Sequence, residues 1–219
     1  MNWTLPNILT VLRLVAAPLL VFVFVLLPRP AADWAGLVLF VGASLTDYID
    51  GWMARAWGQQ SKIGTMLDPI ADKAMVVIAL LVLGTYSDLA YLIVLPAGLI
   101  LFREVFVSGM REYLGDVAGT LAVTRLAKWK TATQMVAIAV LFGHGILEHN
   151  LGDAVFGVDQ SVVDEILSGA VDDDIGLGWK VTATDWSANG GVLLIWIAAV
   201  MTCITGLDYF NKARPYLRD

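Results

Sequence analysis

Asp47, Asp50, Gly51, Ala54, Arg55, Gly64, Asp68 and Asp72 place four carboxylates and one guanidinium in a short stretch of a chain otherwise dominated by apolar runs. An aspartate at the centre of a membrane helix costs about 2.5–3.5 kcal/mol on insertion scales, so ionisable side chains there mark function by default. Four in register point to bound cations. On a helix turning 100° per residue, Asp47, Asp50, Gly51 and Ala54 fall within one arc of roughly 100°, with Arg55 at its edge. Asp68 and Asp72 share a face of the following helix, for which Asp68 is the expected N-cap and Pro69 lies in the first turn. A short connection over 56–67 would make the two helices antiparallel neighbours whose acidic ends meet. Carboxylate oxygens suit hard divalent cations, and Mg²⁺ is usually held by few protein carboxylates with substrate phosphates completing its shell. The expected substrate therefore carries phosphate. Gly51 and Ala54 let a ligand approach the backbone, and Arg55 can bind phosphate in bidentate fashion, a combination that fits a nucleotide diphosphate. The structural alternatives are an N-cap, a turn, or buried ion pairs between the aspartates and Arg55, Lys62 and Lys73. Eight residues at this fixed spacing arise by chance less than about once per million chains.

The elements that must hold these residues are apolar. The 219 residues are 58% hydrophobic, with a mean hydropathy of +0.72, which places the chain among all-α integral membrane proteins. Stretches long enough to cross roughly 30 Å of hydrocarbon lie near 7–27, 34–54, 69–86, 90–112, 130–147 and 190–210, giving six expected transmembrane helices in one catalytic domain over 1–219. Pro18 and Pro96 fall inside two of them, where neighbouring helices can satisfy the freed backbone groups. The first stretch also has the outline of a signal peptide, with Arg13 before Leu14–Leu27 and Ala31 and Ala32 after it. Cys203 is the only cysteine, which excludes an intrachain disulfide and suggests a small core residue.

Charge sorting sets the orientation. With the N-terminus inside, Arg13, Arg55, Lys62, Lys73, Arg103, Arg111, Arg125, Lys128, Lys130, Lys212, Arg214 and Arg218 lie at or near the cytoplasmic face of the plasma (inner) membrane. Only Arg29 and Lys180 of the 14 basic residues lie outside. Both termini and all four motif aspartates are then cytoplasmic. The net charge of −6 resides largely in an outward-facing acidic loop at 148–189, which could contain a short interfacial helix and, at Asp172–Asp174, a cation or simply solvated charge. His144 and His149 lie near the outer face as interfacial or loop residues, as do Trp34, Trp179 and Trp186. No nucleic-acid partner is expected.

The run from Asp47 to Asp72 resembles the signature of the CDP-alcohol phosphatidyltransferases, Asp-x2-Asp-Gly-x2-Ala-Arg-x8-Gly-x3-Asp-x3-Asp, without a departure. The resemblance implies six transmembrane helices, a homodimer, two divalent cations (Mg²⁺ or Mn²⁺), and a site open to both cytoplasm and membrane. It makes Asp47, Asp50 and Asp68 metal ligands and Asp72 a ligand and general base. Asp47, Gly51 and Arg55 would contact the CDP-diacylglycerol, and Ser61 matches a position that contacts the same ligand. Leu5-Pro6-Asn7-Ile8-Leu9-Thr10 with Arg13, Asp68-Pro69-x-Ala71-Asp72-Lys73, Arg103-Glu104, Ser108-Gly109, Arg111-Glu112-Tyr113-Leu114, Lys128-Trp129-Lys130-Thr131 with Gln134, and Thr205-Gly206-x-Asp208-Tyr209 resemble the branch of the family whose acceptor is glycerol-3-phosphate. Only the acidic outer loop stands apart, being longer than that branch leads one to expect.

The charges agree with such an acceptor. Arg103, Arg111, Lys128 and Lys130 are the expected contacts for a dianionic soluble phosphate, whereas a zwitterionic acceptor such as serine needs fewer cations. Arg103 and Arg111 share one helix face within about 80°. Arg125 and Lys130 could instead obey positive-inside sorting and bind lipid headgroups. Asn7, Thr10 and Arg13 could line the nucleotide end of the donor site, or cap a helix and anchor it in lipid. The expected reaction transfers a phosphatidyl group from CDP-diacylglycerol to glycerol-3-phosphate, with CMP released. The alternatives are an inositol phosphate, serine or phosphatidylglycerol as acceptor, and, in a different class, a metal or proton transporter using the acidic cluster as its pathway.

Overall fold

A computed structural model describes residues 5–57, 61–120 and 125–217, and within these it leaves aside the side chains of Pro6, Tyr48, residues 54–57, Lys62, Thr120 and Arg125. Seven α-helices follow in order: α1 (Leu5–Leu26), α2 (Ala31–Trp57), α3 (Lys62–Tyr86), α4 (Ala90–Leu114), α5 (Arg125–Val155), α6 (Gln160–Ser168) and α7 (Leu177–Ala213). Short 3₁₀ turns follow α4 and α7. No strand occurs among the described residues. Hydrocarbon leaves backbone polar groups no partner but one another, so long apolar runs of this kind resolve into helices.

α1 packs along both α2 and α3, α5 lies along α7, and α4 bridges α3 and α7. Leu20, Phe40, Leu80, Ile93, Ile100, Ile138, Leu141 and Ile195 fill the centre. On the outside, Leu12, Val15, Leu19, Phe22 and Val25 of α1 and Tyr91, Val94, Leu95, Phe102 and Val105 of α4 are exposed. Apolar surface this extensive calls for lipid or a partner to cover it. Among the described residues, four helical stretches are long and apolar enough to cross a membrane by length and composition: Asn7–Leu26, Ala90–Gly119, Leu126–Val155 and Leu177–Tyr216. The other two long helices, α2 and α3, carry the four motif aspartates.

Side chains joining distant helices sort the bundle into two ends. At one end, Thr10 meets Asp68, Arg13 meets Asp47, Lys130 meets Glu104, and Arg103 reaches Thr205. This end collects the start of α1, α3 and α5 and the later part of α2, α4 and α7. At the other, Arg29 donates to both Asp33 oxygens at 2.7 and 2.9 Å and to the Tyr86 carbonyl at 3.0 Å.

Four expectations are corrected. Asp68 is not an N-cap: α3 starts at Lys62, and Ser61 caps it, its Oγ accepting the Gly64 amide at 3.0 Å. Pro69 therefore sits inside α3 and forgoes the bond its amide would make to the Thr65 carbonyl. With α2 reaching Trp57 and α3 beginning at Lys62, both helices extend into the connection expected at 56–67. Second, α2 and α3 touch each other little, because α1 lies against both, and their acidic faces meet around a side chain that α1 inserts between them. Third, the expected loop at 148–189 narrows to a connection at 156–176 containing α6. Helicity outlasts hydropathy here: His149 pairs with Asp153 one turn on at 3.5 Å, and the first break is Gly157 with φ +74°. At the far side, Asp173 accepts the Leu177 amide at 2.6 Å and the Gly178 amide at 2.9 Å, which fixes the start of α7. The Gly178 and Leu177 amides also hold the exposed Asp173 carboxyl below the usual carboxylate range. Finally, His144 is not a loop residue; it lies within α5, buried against α7, with Nδ1 3.1 Å from Ser187 Oγ.

Candidate active site

The four aspartates converge on Arg13. Its Nη1 bonds Asp47 Oδ1 and Asp72 Oδ1, and its Nη2 bonds Asp50 Oδ2 at 2.6 Å and stands 3.9 Å from Asp68 Oδ1. Arg13 and Asp50 are almost wholly buried, while Asp47, Asp68 and Asp72 keep 46%, 46% and 42% of their side chains exposed. Among the described residues, Arg13 is thus the one cation paired with the four carboxylates. The geometry follows from placement: Asp47 and Asp50 are one turn apart on α2, Asp68 and Asp72 one turn apart on α3, and Arg13 projects from α1 between them.

Two further residues of α1 fasten this arrangement. Thr10 Oγ1 donates to Asp68 Oδ1 at 2.6 Å, and Asn7 Oδ1 accepts from Ser61 Oγ at 2.7 Å. A side chain at Gly64 would bring its Cβ within 2.8 Å of Asn7 Oδ1, so the motif glycine is what lets α1 approach the start of α3. Asn7, Thr10 and Arg13 are buried, which removes the lipid-anchoring alternative. Ser61 is committed to the α3 cap and to Asn7. Gly51 lies half-buried on α2 just beyond Asp50. The side chain of Arg55 lies outside the described residues, as do those of Ala54, Lys62 and Arg125 and all of Arg218.

Two cavities meet at the cluster. One, of about 310 Å³, is lined by Arg13, Ser44, Asp47, Asp72, Lys128 and Thr131 among others. The second, of about 330 Å³, is bordered by Asp47, Asp72, Lys73, Arg103, Glu104, Arg111, Lys130, Thr131 and Gln134. Asp47 and Asp72 therefore stand in the wall common to both. Of the four cations expected to share one phosphate site, Arg103, Arg111 and Lys130 line the second cavity, and Lys128 lines the first instead. Lys128 and Lys130 lie 200° apart on α5, so they cannot face the same side.

Glu104 organises the second cavity. Its Oε1 accepts from Arg103 Nη1 at 2.9 Å and from the buried Lys130 Nζ at 2.5 Å. Arg103 also reaches Thr205 Oγ1 at 3.4 Å, and Gly206 leaves it room, since a Cβ there would lie 2.9 Å from Arg103 Cγ. Arg111 stacks over the Tyr209 ring at 5.3 Å. Lys73 donates to Ser108. Sequence reasoning missed the role of Glu104 because its partner Lys130 lies on another helix; the signal available was an acid amid cations.

The donor set suits divalent cations: four oxygen-bearing side chains, three of them partly open, with Arg13 the one guanidinium bonded to them among the described residues. As they stand, no group of three such residues among those described is arranged to hold an ion, because Asp47, Asp50 and Asp72 turn their oxygens to Arg13. A cation bound here would compete with Arg13 for these oxygens.

A helical membrane protein with paired aspartate turns on two helices and a cation-lined cavity beside them matches one family over most of its length. Residues 3–163 fit the CDP-alcohol phosphatidyltransferases, and the chain belongs to that family. Its relatives narrow the comparison. It is 53% identical over 219 residues to the CDP-diacylglycerol–glycerol-3-phosphate 3-phosphatidyltransferase of Cereibacter sphaeroides, covering 100% of this chain and 99% of the relative. The proteins of the same name from Rickettsia bellii and Escherichia coli are 35% identical over 212 residues and 31% identical over 221. They cover 97% and 100% of this chain, and 96% and 100% of their own lengths.

Proposed function

We propose that the protein transfers the phosphatidyl group of CDP-diacylglycerol to glycerol-3-phosphate, giving phosphatidylglycerophosphate and CMP in phospholipid synthesis. The observation that carries this reading is the position of Asp72, in the wall between one cavity and a second lined by Arg103, Arg111 and Lys130. An acceptor phosphate held by those cations can present its hydroxyl to the Asp72 carboxylate. Asp72 takes the hydroxyl proton, the oxygen attacks the diacylglycerol-linked phosphorus, and the bond to CMP breaks. Asn7, Thr10, Arg13, Asp47, Gly51, Arg55 and Ser61 serve the donor side, Arg13 and Arg55 toward its diphosphate. Lys128 faces the first cavity and belongs with the donor. When bound, two divalent cations on Asp47, Asp50, Asp68 and Asp72 neutralise charge on the reacting and departing phosphates.

In this reading α2 and α3 also cross the membrane, making six spans in a single catalytic domain. The cluster end faces the cytoplasm of the plasma membrane with both termini, and the 156–176 connection faces outward. The active form is a homodimer. The acidic cluster does not continue as a polar pathway through the apolar core, which disfavours a transporter.

Purified protein in mixed micelles with CDP-diacylglycerol and Mg²⁺ should release CMP with glycerol-3-phosphate and not with serine, inositol phosphate or phosphatidylglycerol. EDTA should stop the release. CMP formation with serine alone would overturn the acceptor assignment. Within the second cavity, Lys130→Met should raise the KM for glycerol-3-phosphate about 10- to 100-fold, the loss of a charged hydrogen bond worth about 1.5–3 kcal/mol. Lys128→Met should leave that KM within about threefold, because its side chain lines the other cavity. Steady-state kinetics at saturating donor checks both.

A further inference from the structure

Gln134 is buried, 3% exposed, and lines the second cavity on α5 one turn beyond Lys130. Its Oε1 has no hydrogen-bond partner. Buried amide oxygens are seldom left unpaired, and one that is so left beside a cavity calls for an explanation. The other neutral polar side chain among the described residues lining this cavity, Thr131, already donates its hydroxyl to the Ala127 carbonyl at 3.2 Å. The carboxamide oxygen thus stands unpartnered, while Arg103 and Lys130 bond Glu104, Lys73 bonds Ser108 and Arg111 lies over the Tyr209 ring.

We infer that Gln134 is a specificity-determining residue that recognises the non-reacting hydroxyl of the acceptor. The inference rests on the reading of the second cavity as the site of glycerol-3-phosphate. That molecule offers three kinds of group: a dianionic phosphate, a hydroxyl that reacts, and a neutral secondary hydroxyl between them. The cations take the phosphate, and Asp72 takes the reacting hydroxyl. A carboxamide carries both a donor and an acceptor, which matches a hydroxyl; its oxygen would repel a phosphate. The spacing agrees, since one helical turn places Gln134 about 6 Å along the α5 axis from Lys130, comparable to the reach of a three-carbon phosphate. A site built to hydrogen-bond a hydroxyl discriminates strongly against the analogue that lacks it, because its own polar group is then left unpaired.

The test compares glycerol-3-phosphate with 3-hydroxypropyl phosphate, which lacks the secondary hydroxyl, on the full-length protein in micelles with CDP-diacylglycerol and Mg²⁺. The wild-type protein should prefer glycerol-3-phosphate in kcat/KM by about 100-fold. Gln134→Leu should lower kcat/KM for glycerol-3-phosphate by about the same factor and use the two acceptors within about threefold of each other. The ratio is read on one preparation, so a variant that is only partly folded still reports it, and Gln134→Met provides a second side chain without the amide. If either variant keeps the wild-type preference, or if the wild-type protein does not distinguish the acceptors, Gln134 does not read that hydroxyl. If the wild-type protein uses neither phosphate while accepting another alcohol, the assignment of the acceptor falls and this inference with it.

Discussion

Asp72→Asn should lower kcat for CMP release by about 10²- to 10⁴-fold, the range over which a positioned general base accelerates a proton transfer. The variant should still fold. Arg13 keeps its bonds to Asp47 and Asp50, and removing one of four carboxylates from around a single guanidinium also relieves repulsion among them. Thermal melting in detergent should therefore change little, which separates chemical loss from collapse. A carboxylate that only holds a metal ion gives a different result: raising Mg²⁺ should recover part of the activity of Asp68→Asn. Asp72→Asn should stay slow at saturating Mg²⁺, because an amide cannot accept the acceptor's proton at any metal concentration. Recovery of Asp72→Asn to near wild-type rate by Mg²⁺ would remove it from the role of base.

The motif itself was legible because its logic is local. Asp47 with Asp50, and Asp68 with Asp72, each lie one turn apart on a single helix, and helical periodicity alone places each pair on one face. The start of α3 was misread because Asp-Pro is a strong helix-opening signal, yet Ser61 opens the helix seven residues earlier and α3 absorbs Pro69. Hydropathy located the apolar parts of α5 and α7 but not their ends, since it reports contact with lipid, whereas Glu148–Val155 and Leu177–Gly190 continue as helix beyond the most apolar stretches. His144 was placed by its depth along the chain, but its burial depends on which face of α5 meets α7.

What sequence could not supply was pairing between helices. Helical periodicity already sets Lys128 and Lys130 on different sides of α5, but which cavity each one lines depends on how α5 lies relative to α3 and α4. Glu104 and Gln134 are ordinary residues until Lys130 is found beside one and a cavity beside the other. Arg13 is the largest case. Within α1 it is a lone cation among apolar residues, which positive-inside sorting explains completely, and nothing in its neighbourhood indicates that four aspartates from two other helices surround it.

Arg13→Met should accordingly destabilise the metal-free protein by about 3 kcal/mol, the lower end of the cost of removing one partner from a buried ion pair. The lower end applies because Asp47, Asp68 and Asp72 are each more than two-fifths exposed and water can solvate them, whereas Asp50 is not. Divalent cations should reverse the sign of the comparison. In the wild-type protein the guanidinium bonds three of the carboxylates at the point on which they converge, so a cation competes with it there and gains less than it would alone. In the variant that competitor is gone, and the cation offsets more of the repulsion. The increase in melting temperature on passing from EDTA to Mg²⁺ should therefore be larger for Arg13→Met than for wild type, and the Mg²⁺ concentration at half effect should be lower. An equal Mg²⁺ response in both proteins would mean that Arg13 and the cations do not share the cluster.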